Sequence, residues 1–150
     1  MSTQRSFSIQ QLPATRESVE QLIALTTLLG YAVTPDQMME RLTKINARKD
    51  HHFLVAKKEN EILGFCHGYV RLLTEVDTAV EIGGLAVSES SRGKGVGRAL
   101  VEGIELWAKS IGIPFLVLSS NIIRTEAHKF YEHLGYTKSR QQFAYEKRLK

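Results

Sequence analysis

One basic, glycine-rich run lies in the middle of the chain and reads Arg92-Gly93-Lys94-Gly95-Val96-Gly97-Arg98. An apolar segment with a strand pattern precedes it, and a long segment with helical apolar spacing follows it. Glycines let the backbone turn tightly and come close to a ligand, and the unpaired amides at a helix start attract anions. The run therefore predicts a strand–turn–helix unit that binds a phosphate-bearing ligand at the turn. The simpler alternative is a generic loop, since many loops before helices contain glycine.

The apolar pattern on both sides of this unit predicts a mixed α/β fold. A polar turn at Glu59 and Asn60 joins two strand patterns into an antiparallel hairpin. Thr34, Pro35 and Gln37 supply the cap, the first-position proline and the third-position glutamine of a helix start. A strand–helix–strand order around the glycine run requires a parallel strand pair. We therefore predict one central mixed sheet flanked by about four helices.

The same patterns predict the boundaries of the elements. Strands are expected at residues 7–9, 52–58, 61–72, 79–87 and 115–118, with one or two more within 136–150. Helices are expected at residues 15–29, from 34 to near 50, 96–111 and 127–134. The unbroken apolar run at 115–118 is typical of a strand that is covered on both faces.

Composition narrows the class of protein. A length of 150 residues with 43% hydrophobic residues is typical of a single domain over 1–150. The formal net charge of +4 suits phosphorylated ligands but does not establish nucleic-acid binding. Cys66 cannot form an internal disulfide, and we interpret it as a small apolar strand residue in a reducing compartment. No apolar run reaches the roughly 20 residues of a membrane span, so we expect a soluble, cytoplasmic protein without nucleic-acid or membrane partners.

Two better known phosphate-binding loops do not fit the spacing. A nucleoside-triphosphate loop requires a lysine followed by serine or threonine, and residues 93–98 contain no such pair. A dinucleotide fingerprint requires glycine or alanine at its last position. That position falls on Arg98 when the count starts at Gly93, and on Leu100 when it starts at Gly95.

A different signature matches the run. Residues 92–97 resemble the Arg/Gln-x-x-Gly-x-Gly/Ala motif of the GCN5-related N-acetyltransferases, the GNAT family, and residues 85–87 resemble the strand end before it. A second block is similar to the later strand and helix of that family, through Leu118-Ser119-Ser120-Asn121, Arg124, Ala127, His128, Phe130, Tyr131, Gly135 and Tyr136. The two blocks span residues 79–136, whereas the first half of the chain resembles the family in outline.

The resemblance implies acetyl-CoA as cofactor, bound where the strand ending at Val87 and the strand ending near Ser119 splay apart. The amides of residues 93–97 would hold the pyrophosphate, and main-chain groups of residues 85–87 would pair with the pantetheine arm. The expected cofactor-binding residues are Leu85, Ala86, Val87, Arg92, Gly93, Lys94, Gly95, Val96, Gly97, Arg98, Asn121 and Arg124.

Several of these residues also have a purely structural interpretation. Lys94 and Arg98 fit a solvated basic surface as well as a phosphate contact. Asn121 could cap the next helix, and Arg124 could form a surface ion pair with a glutamate of that helix.

Acyl transfer to an amine requires a base, because an alkylammonium with a pKa of about 10.4 is almost fully protonated at pH 7. Glu81, in the otherwise apolar strand before the glycine run, is the candidate base; its alternative is an outward-facing polar residue. The resemblance implies Tyr131 as the acid that protonates the departing thiolate, with a core aromatic beside Phe130 as the alternative. Gly83 and Gly84 predict a bulge that opens the cleft, or else a flexible strand end.

The remaining polar residues carry weaker signals. The histidines lack the clustered spacing of metal ligands, so no metal site is expected. Arg41, Lys44, Arg48 and Lys49 recur along one predicted helix, and they indicate either a solvated face or contact with an anionic substrate.

The resemblance implies direct transfer of an acetyl group to a primary amine, without a covalent acyl-enzyme. Residues 28–34 and 71–78 would frame the acceptor pocket, and neither segment identifies the acceptor. We expect a small molecule of the aminoalkylphosphonate, aminoglycoside, polyamine or amino acid type, with a protein or peptide N-terminus as the alternative substrate. A non-catalytic acyl-CoA-binding sensor is the alternative function. The protein is expected to be a monomer or a homodimer.

Overall fold

A computed structural model describes residues 5–150 of the chain. The described residues form one mixed sheet of five strands and four α-helices, which confirms the predicted fold class. They divide into two compact units, the first ending at Ser119 and the second covering Ser120–Lys150. The first unit contains the whole sheet and three of the helices. That the chain is a single domain stays a prediction.

The observed elements lie close to their predicted positions. The strands are β1 Ser8–Gln11, β2 His51–Lys58, β3 Glu61–Arg71, β4 Ala79–Val87 and β5 Leu116–Leu118. The helices are α1 Arg16–Leu28, α2 Pro35–Asn46, α3 Val96–Ser110 and α4 Thr125–His133.

A capping box starts α2, as the sequence predicts. The N–H of Gln37 donates to Thr34 Oγ1 at 3.2 Å, and the N–H of Thr34 donates to Gln37 Oε1 at 3.0 Å. The helix ends at Asn46 rather than near Asp50. Asp50 is already part of the sheet hydrogen bonding, because its carbonyl accepts the N–H of Val70 at 2.8 Å. The sheet therefore ends the helix earlier than the apolar spacing indicates.

The strands lie in the order β1-β2-β3-β4-β5. The first three pairs are antiparallel, and β4 and β5, which flank α3 in the chain, pair in parallel. This parallel pair around α3 confirms the prediction drawn from the strand–helix–strand order.

Different helices cover the two faces of the sheet. Phe65 packs in a core cluster with Leu22 of α1 and Leu42 of α2, and both leucines are at most 1% exposed. The preceding residue, Gly64, points to the opposite face, where it lies against Leu100 of α3. The sheet is thus the middle layer between α1 and α2 on one side and α3 on the other.

Two expectations about strands are wrong. Residues 115–118 were expected to be covered on both faces, but β5 is half-buried and Phe115 is 48% exposed. Only β4 pairs with β5 in the described sheet, so this short strand lies at a sheet edge. No strand forms in residues 137–150 of the described chain, where Phe143 and Tyr145 are 88% and 92% exposed. An alternating pattern becomes a strand only when a neighbour accepts its hydrogen bonds.

We predict that Gly64→Ala destabilises the fold by about 2 kcal/mol, because overpacking against the backbone forces atoms to move. A Cβ at Gly64 would lie 2.7 Å from the carbonyl oxygen of Ala86. Gly103→Ala is the matched control, since its Cβ would also lie at 2.7 Å, but from the flexible Cδ1 of Leu54. Alanine also gains about 1 kcal/mol of helix propensity there. Equal losses of unfolding free energy in urea would contradict the backbone argument.

Candidate active site

The glycine-rich turn presents open amides at the start of α3. Gly95 is the N-cap residue and has a φ of 82°, a conformation that favours glycine. The first helical hydrogen bond runs from the N–H of Ala99 to the carbonyl of Gly95 at 3.1 Å. The N–H groups of Val96, Gly97 and Arg98 therefore have no acceptor within the helix. These open amides lie at the turn for which the sequence predicts anion binding.

The surroundings of this turn fit a phosphate-bearing group. A Cβ added to Gly93 or Gly95 would meet no atom within 4 Å, so the space in front of the main chain is open. Ser88 lies just before the turn, and its buried Oγ has no hydrogen-bond partner among the described residues. Buried polar atoms of native proteins nearly always have partners, and a ligand can supply one. Ser88 was not among the predicted site residues, because no sequence motif marks it.

The three cations of the run lie in different environments. Arg98 binds Glu102 one helical turn later, with Nε and Oε1 2.9 Å apart. Arg92 and Lys94 are exposed, and neither side chain forms an ion pair within the described part of the chain. Arg92 and Lys94 are therefore the cations that a ligand can recruit without breaking an ion pair.

The edge of β4 next to β5 loses its strand partner halfway along. Parallel pairing runs from Val80, opposite Leu116, to Ile82, opposite Leu118, and no further pair follows. On the other edge, Leu85, Ala86 and Val87 continue to pair with β3, opposite Cys66, Phe65 and Gly64. The main-chain groups of residues 83–87 that face away from β3 therefore have no strand partner within the first unit. This is the parting of the parallel strands that the sequence predicts.

A β-bulge interrupts β4 at the glycine pair, as predicted. His67 lies opposite Gly84 and Gly68 lies opposite Ile82, so Gly83 is the extra residue. A Cβ at Gly83 would lie 3.1 Å from Cε1 of Tyr69, which is tighter than ordinary contact. The small residue allows the strand to bulge beside the tyrosine ring.

Glu81 accepts a hydrogen bond from the hydroxyl of Tyr69, its partner in the β3–β4 register. The carboxylate is half-buried rather than fully exposed. Burial raises the pKa of Tyr69 to about 12, and the hydrogen bond and charge of Glu81 act in the same direction. The tyrosine therefore stays protonated at neutral pH and holds one carboxylate oxygen in place.

Two histidines of neighbouring strands lie next to Tyr69, an arrangement that was not predicted from the sequence. His51 Nδ1 and His67 Nε2 are 2.9 Å apart, and the ring of Tyr69 stacks on His51 with centroids 5.4 Å apart. Burial, with a smaller effect from the charge of His51, lowers the pKa of His67 to about 4. The predicted strand 61–72 contained a signal, because His67 and Tyr69 are alternate residues of β3 and share one face. Tyr69 lies opposite Glu81 of β4. We call His51, His67, Tyr69 and Glu81 the polar cluster.

A cavity of about 480 Å³ opens beside the bulge, which we call the bulge cavity. It lies within the first unit, between the sheet and the first two helices, and Gly83, Gly84 and His67 line its sheet side. Its apolar lining includes Leu22, Leu29, Val33, Met38, Ile45 and Phe65. Leu29 and Val33 belong to the segment 28–34 that was expected to frame the acceptor pocket, whereas no residue of 71–78 contributes.

The second unit contains the remaining predicted cofactor contacts. The side-chain oxygen of Asn121 accepts the N–H of Ile123 at 3.1 Å, which stabilises a turn before α4. The N-cap of α4 is Arg124, not Asn121, and its side chain makes no capping hydrogen bond. Glu132, one expected ion-pair partner of Arg124, instead binds Lys138 with Nζ and Oε1 3.4 Å apart.

Tyr131 lies on α4, where its ring packs edge-to-face against Phe130 and Tyr136 at centroid distances of 5.1 and 5.9 Å. The carbonyl of Tyr131 also accepts the N–H of Tyr136 at 3.0 Å. The side chain is half-buried. The aromatic packing that was the structural alternative for Tyr131 is therefore present. A tyrosine can pack its ring and still use its hydroxyl, so this packing is compatible with the predicted catalytic role.

Other candidate chemistries find little support in the described residues. Cys66 is buried, and desolvation raises the pKa of its thiol to about 12, so the thiolate that a nucleophile needs is not available. No group of three or more metal-ligating side chains occurs within residues 5–150. Among the described helices, none combines the length and the apolar character that crossing a membrane would take.

The fold has a bulge in β4, a partly unpaired edge on that strand and open amides at the turn before α3. A comparison with protein families agrees with it. The model of the acetyltransferase (GNAT) family matches residues 18–136. The chain therefore belongs to the GNAT acetyltransferase family.

Two curated relatives are named as N-acetyltransferases. The uncharacterized N-acetyltransferase YhdJ of Bacillus subtilis is 32% identical over 92 residues, which is 60% of this chain and 65% of the relative. The aminoalkylphosphonate N-acetyltransferase of Salmonella typhimurium is 31% identical over 93 residues, 61% of this chain and 60% of the relative. The matched region thus spans slightly less than two thirds of the length of these relatives.

Solved structures share the fold over almost the whole chain. The aminoglycoside acetyltransferase AAC(6')-Iy, in complex with a CoA bisubstrate analogue, aligns with a TM-score of 0.81 and 19% identity, covering 95% of this chain and 99% of that one. Glucosamine-6-phosphate N-acetyltransferase of Arabidopsis thaliana aligns with a TM-score of 0.77 and 23% identity, covering 93% and 97%. At these identities the comparison establishes the fold.

We predict that His67 makes the fold less stable as the pH falls from 6.5 towards 4. In this window the unfolded chain binds a proton at its ordinary pKa of 6.5, whereas the native ring stays neutral. Between pH 7.5 and pH 5, wild type should lose about 1–2 kcal/mol more unfolding free energy than His67→Gln. Urea unfolding of both proteins at the two pH values measures the difference. Any contribution from His52 is common to both proteins, and parallel losses would contradict the prediction.

Proposed function

We propose that this protein transfers an acetyl group from acetyl-CoA directly to a primary amine of a small molecule. The observation that carries the proposal is the joint placement of three features on one strand–turn–helix unit. These are the open amides at the start of α3, the unpaired edge of residues 83–87, and the carboxylate of Glu81 on the same strand. Membership of the GNAT family supports the same activity.

The open turn would hold the pyrophosphate of CoA. The amides of residues 93–97 supply the hydrogen bonds, and Arg92 and Lys94 supply positive charge without giving up an existing ion pair. The unpaired edge of residues 85–87 would pair with the pantetheine arm as an added strand does. Asn121, Arg124 and Arg98 complete the proposed contacts on the strength of the family resemblance.

When bound, acetyl-CoA supplies a thioester whose carbonyl carbon an amine nitrogen can attack. Glu81 is the proposed base, and it accepts the ammonium proton directly or through a water. Tyr69 holds one oxygen of that carboxylate and leaves the other for the proton. Tyr131 Oη is the proposed donor of a proton to the CoA sulfur, a role that the family resemblance suggests. Because the Cys66 thiol is buried with its pKa raised to about 12, no acyl-cysteine is invoked.

The acceptor is proposed to be a small molecule of the aminoalkylphosphonate, aminoglycoside, polyamine or amino acid type. The bulge cavity supports this size class, since its 480 Å³ falls within the usual range of small-molecule sites. An aminoalkylphosphonate enzyme is among the sequence relatives, and an aminoglycoside enzyme is among the structural ones. A cytoplasmic location, in which Cys66 stays reduced, is part of the same proposal.

Gly95→Leu should weaken CoA binding at least about 10-fold, because its side chain would fill the open space in front of the amides. Gly112→Leu is a matched control. Gly112 has a similar φ of 79°, and a Cβ there also meets open space, but at the other end of α3. Calorimetric titration of CoA into both variants separates loss of the turn from general backbone strain. Equal affinity in the two variants would contradict the proposed phosphate site.

Glu81→Gln and Tyr131→Phe should each lower kcat about 10²-fold or more at pH 7 while leaving the affinity for acetyl-CoA almost unchanged. Each substitution removes a proton-transferring group and keeps the shape of the side chain. Steady-state kinetics, together with acetyl-CoA titrations, measures both quantities. Glu20→Gln and Tyr145→Phe replace exposed residues of the same types and serve as controls. A variant with unchanged kcat would remove that residue from the mechanism.

The overall function is tested by thiol release from acetyl-CoA in the presence of a panel of amines. The panel contains aminoalkylphosphonates, amino acids, polyamines, aminoglycosides and short peptides. Release that depends on an amine and is abolished in Glu81→Gln supports the proposal. CoA binding without release from any amine would instead favour the alternative of an acyl-CoA sensor.

A further inference from the structure

The charge pattern of the bulge cavity indicates which amines it accepts. We propose that the cavity selects amines that carry one anionic group on a compact apolar body, and that Arg41 binds this anionic group. The inference rests on the proposed acetyl transfer, and it adds a substrate class and a specificity residue. Arg41 is the one permanently charged side chain among the described residues that line the cavity.

The apolar lining sets the body of the acceptor. Leu22, Leu29, Met38 and Phe65 present hydrocarbon surface, and most of the remaining lining is also apolar. Burial of apolar area stabilises a bound apolar group by roughly 25 cal/mol per Å². A sugar-like or fully hydrated body would lose water at these walls without gaining hydrogen bonds. The walls therefore favour an aliphatic or aromatic body.

Arg41 differs from Lys44 of α2, and from Arg48 just after the helix, in having no ion-pair partner within the described residues. Lys44 Nζ lies 2.8 Å from Glu40 Oε1, and the guanidinium of Arg48 lies 2.9 Å from Asp50. The nearby Glu40 has its pKa lowered first by its hydrogen bond to Lys44, and the charge of Arg41 contributes least. The guanidinium of Arg41 is thus available for a ligand. Its planar donors suit a carboxylate or a phosphonate, which they can bind with two parallel hydrogen bonds.

Spacing along α2 directs Arg41 towards the cavity. Met38, Arg41 and Ile45 follow one another at intervals of three and four residues, so they share one helix face, and all three line the cavity. The sequence left open whether the basic residues of α2 form a solvated face or meet an anionic substrate. Of these four residues, Arg41 lines the cavity, whereas Lys44, Arg48 and Lys49 do not.

The cavity lining disfavours acceptors with several positive charges. No aspartate or glutamate occurs among the described residues that line it. A polyamine or an aminoglycoside brings several ammonium groups, and each would lose water without meeting an anion there. His67 is neutral at pH 7, because its pKa is lowered to about 4, and so it adds no second positive charge. The cavity therefore suits a ligand with a single negative group.

The opposite wall gives the amine a place to bind. Gly83 and Gly84 line the side of the cavity opposite α2, and Gly83 has no register partner on β3 or β5. The amine is therefore placed at the bulge, where a main-chain carbonyl can accept its N–H, while Arg41 on α2 binds the anion. This arrangement orients an acceptor across the cavity, between the helix and the bulged strand.

The test compares amines that share one carbon frame and differ in the anion. Leucine is paired with isopentylamine and 3-aminopropylphosphonate with propylamine, and spermidine serves as the polycation. In thiol-release assays of wild type, kcat/KM should be at least about 10-fold higher for the member of each pair that carries an anionic group than for its partner. It should also be at least about 10-fold higher for leucine and for 3-aminopropylphosphonate than for spermidine. A preference for spermidine or for the amines without an anionic group would overturn the inference.

Arg41→Gln removes the charge and keeps most of the side chain. The ratio of kcat/KM between the member with an anionic group and the member without one should fall about 10-fold, mainly through KM for the amine that carries the anion. Lys44→Gln removes a cation from the same helix that does not line the cavity, and it should keep the wild-type ratio. An unchanged ratio in Arg41→Gln, or an equal loss in Lys44→Gln, would overturn the role of Arg41.

Failure of the proposed function gives a distinguishable result. If no amine releases thiol, acetyl transfer is refuted, and binding of the same amine pairs is measured by calorimetry in wild type and in Arg41→Gln. Tighter binding of the anionic member that depends on Arg41 would still support the charge selection. Equal binding of both members, or no binding of either, would overturn it.

Discussion

The main chain of β4 has different partners along its two edges, and the candidate site depends on this difference. On one edge β4 pairs with β3 along almost its whole length, with Gly83 as the extra residue. On the other edge, pairing with β5 stops at Ile82 and Leu118. The strand is therefore rigidly held while its last residues keep free hydrogen-bonding groups next to the open start of α3. A backbone that is both fixed and unpaired can bind an extended ligand without a large ordering cost.

The two faces of the sheet differ in role, because one packs closely against α3 and the other carries the polar cluster. Gly64, Gly68 and Leu100 belong to the face covered by α3, where the glycines let the helix side chains approach the sheet closely. The opposite face carries the apolar core at one end and the polar cluster at the other. Burial there keeps His67 neutral and Tyr69 protonated, because a charge loses its hydration in a low-dielectric environment. Among the described residues that line the bulge cavity, His67 is the one member of this cluster, and because its ring is neutral at pH 7, Arg41 supplies the charge of the lining.

Local signals in the chain account for the elements that were predicted correctly. The capping box of Thr34 and Gln37, the glycine pair at Gly83 and the run that ends in α3 act over a few residues, so sequence alone reveals them. The failures involve partners that are distant or missing. Residues 137–150 form no strand among the described residues, and β5 lies at an edge that its apolar composition does not reveal. The ion pair between Arg98 and Glu102 is also absent from the sequence-based expectations, and the cofactor contact of Arg98 stays a prediction.

The sequence by itself determined the order of the elements, the glycine turn at the start of α3, and the two blocks that resemble the GNAT family. These depend on backbone preferences and on spacing, which are properties of neighbouring residues. Only the tertiary structure decided that Tyr69 would bind Glu81, that two histidines would join them, and that Arg41 rather than Lys44 would line the cavity. The register of the hairpin and the packing of α2 bring these residues together, and both arise from contacts between distant parts of the chain.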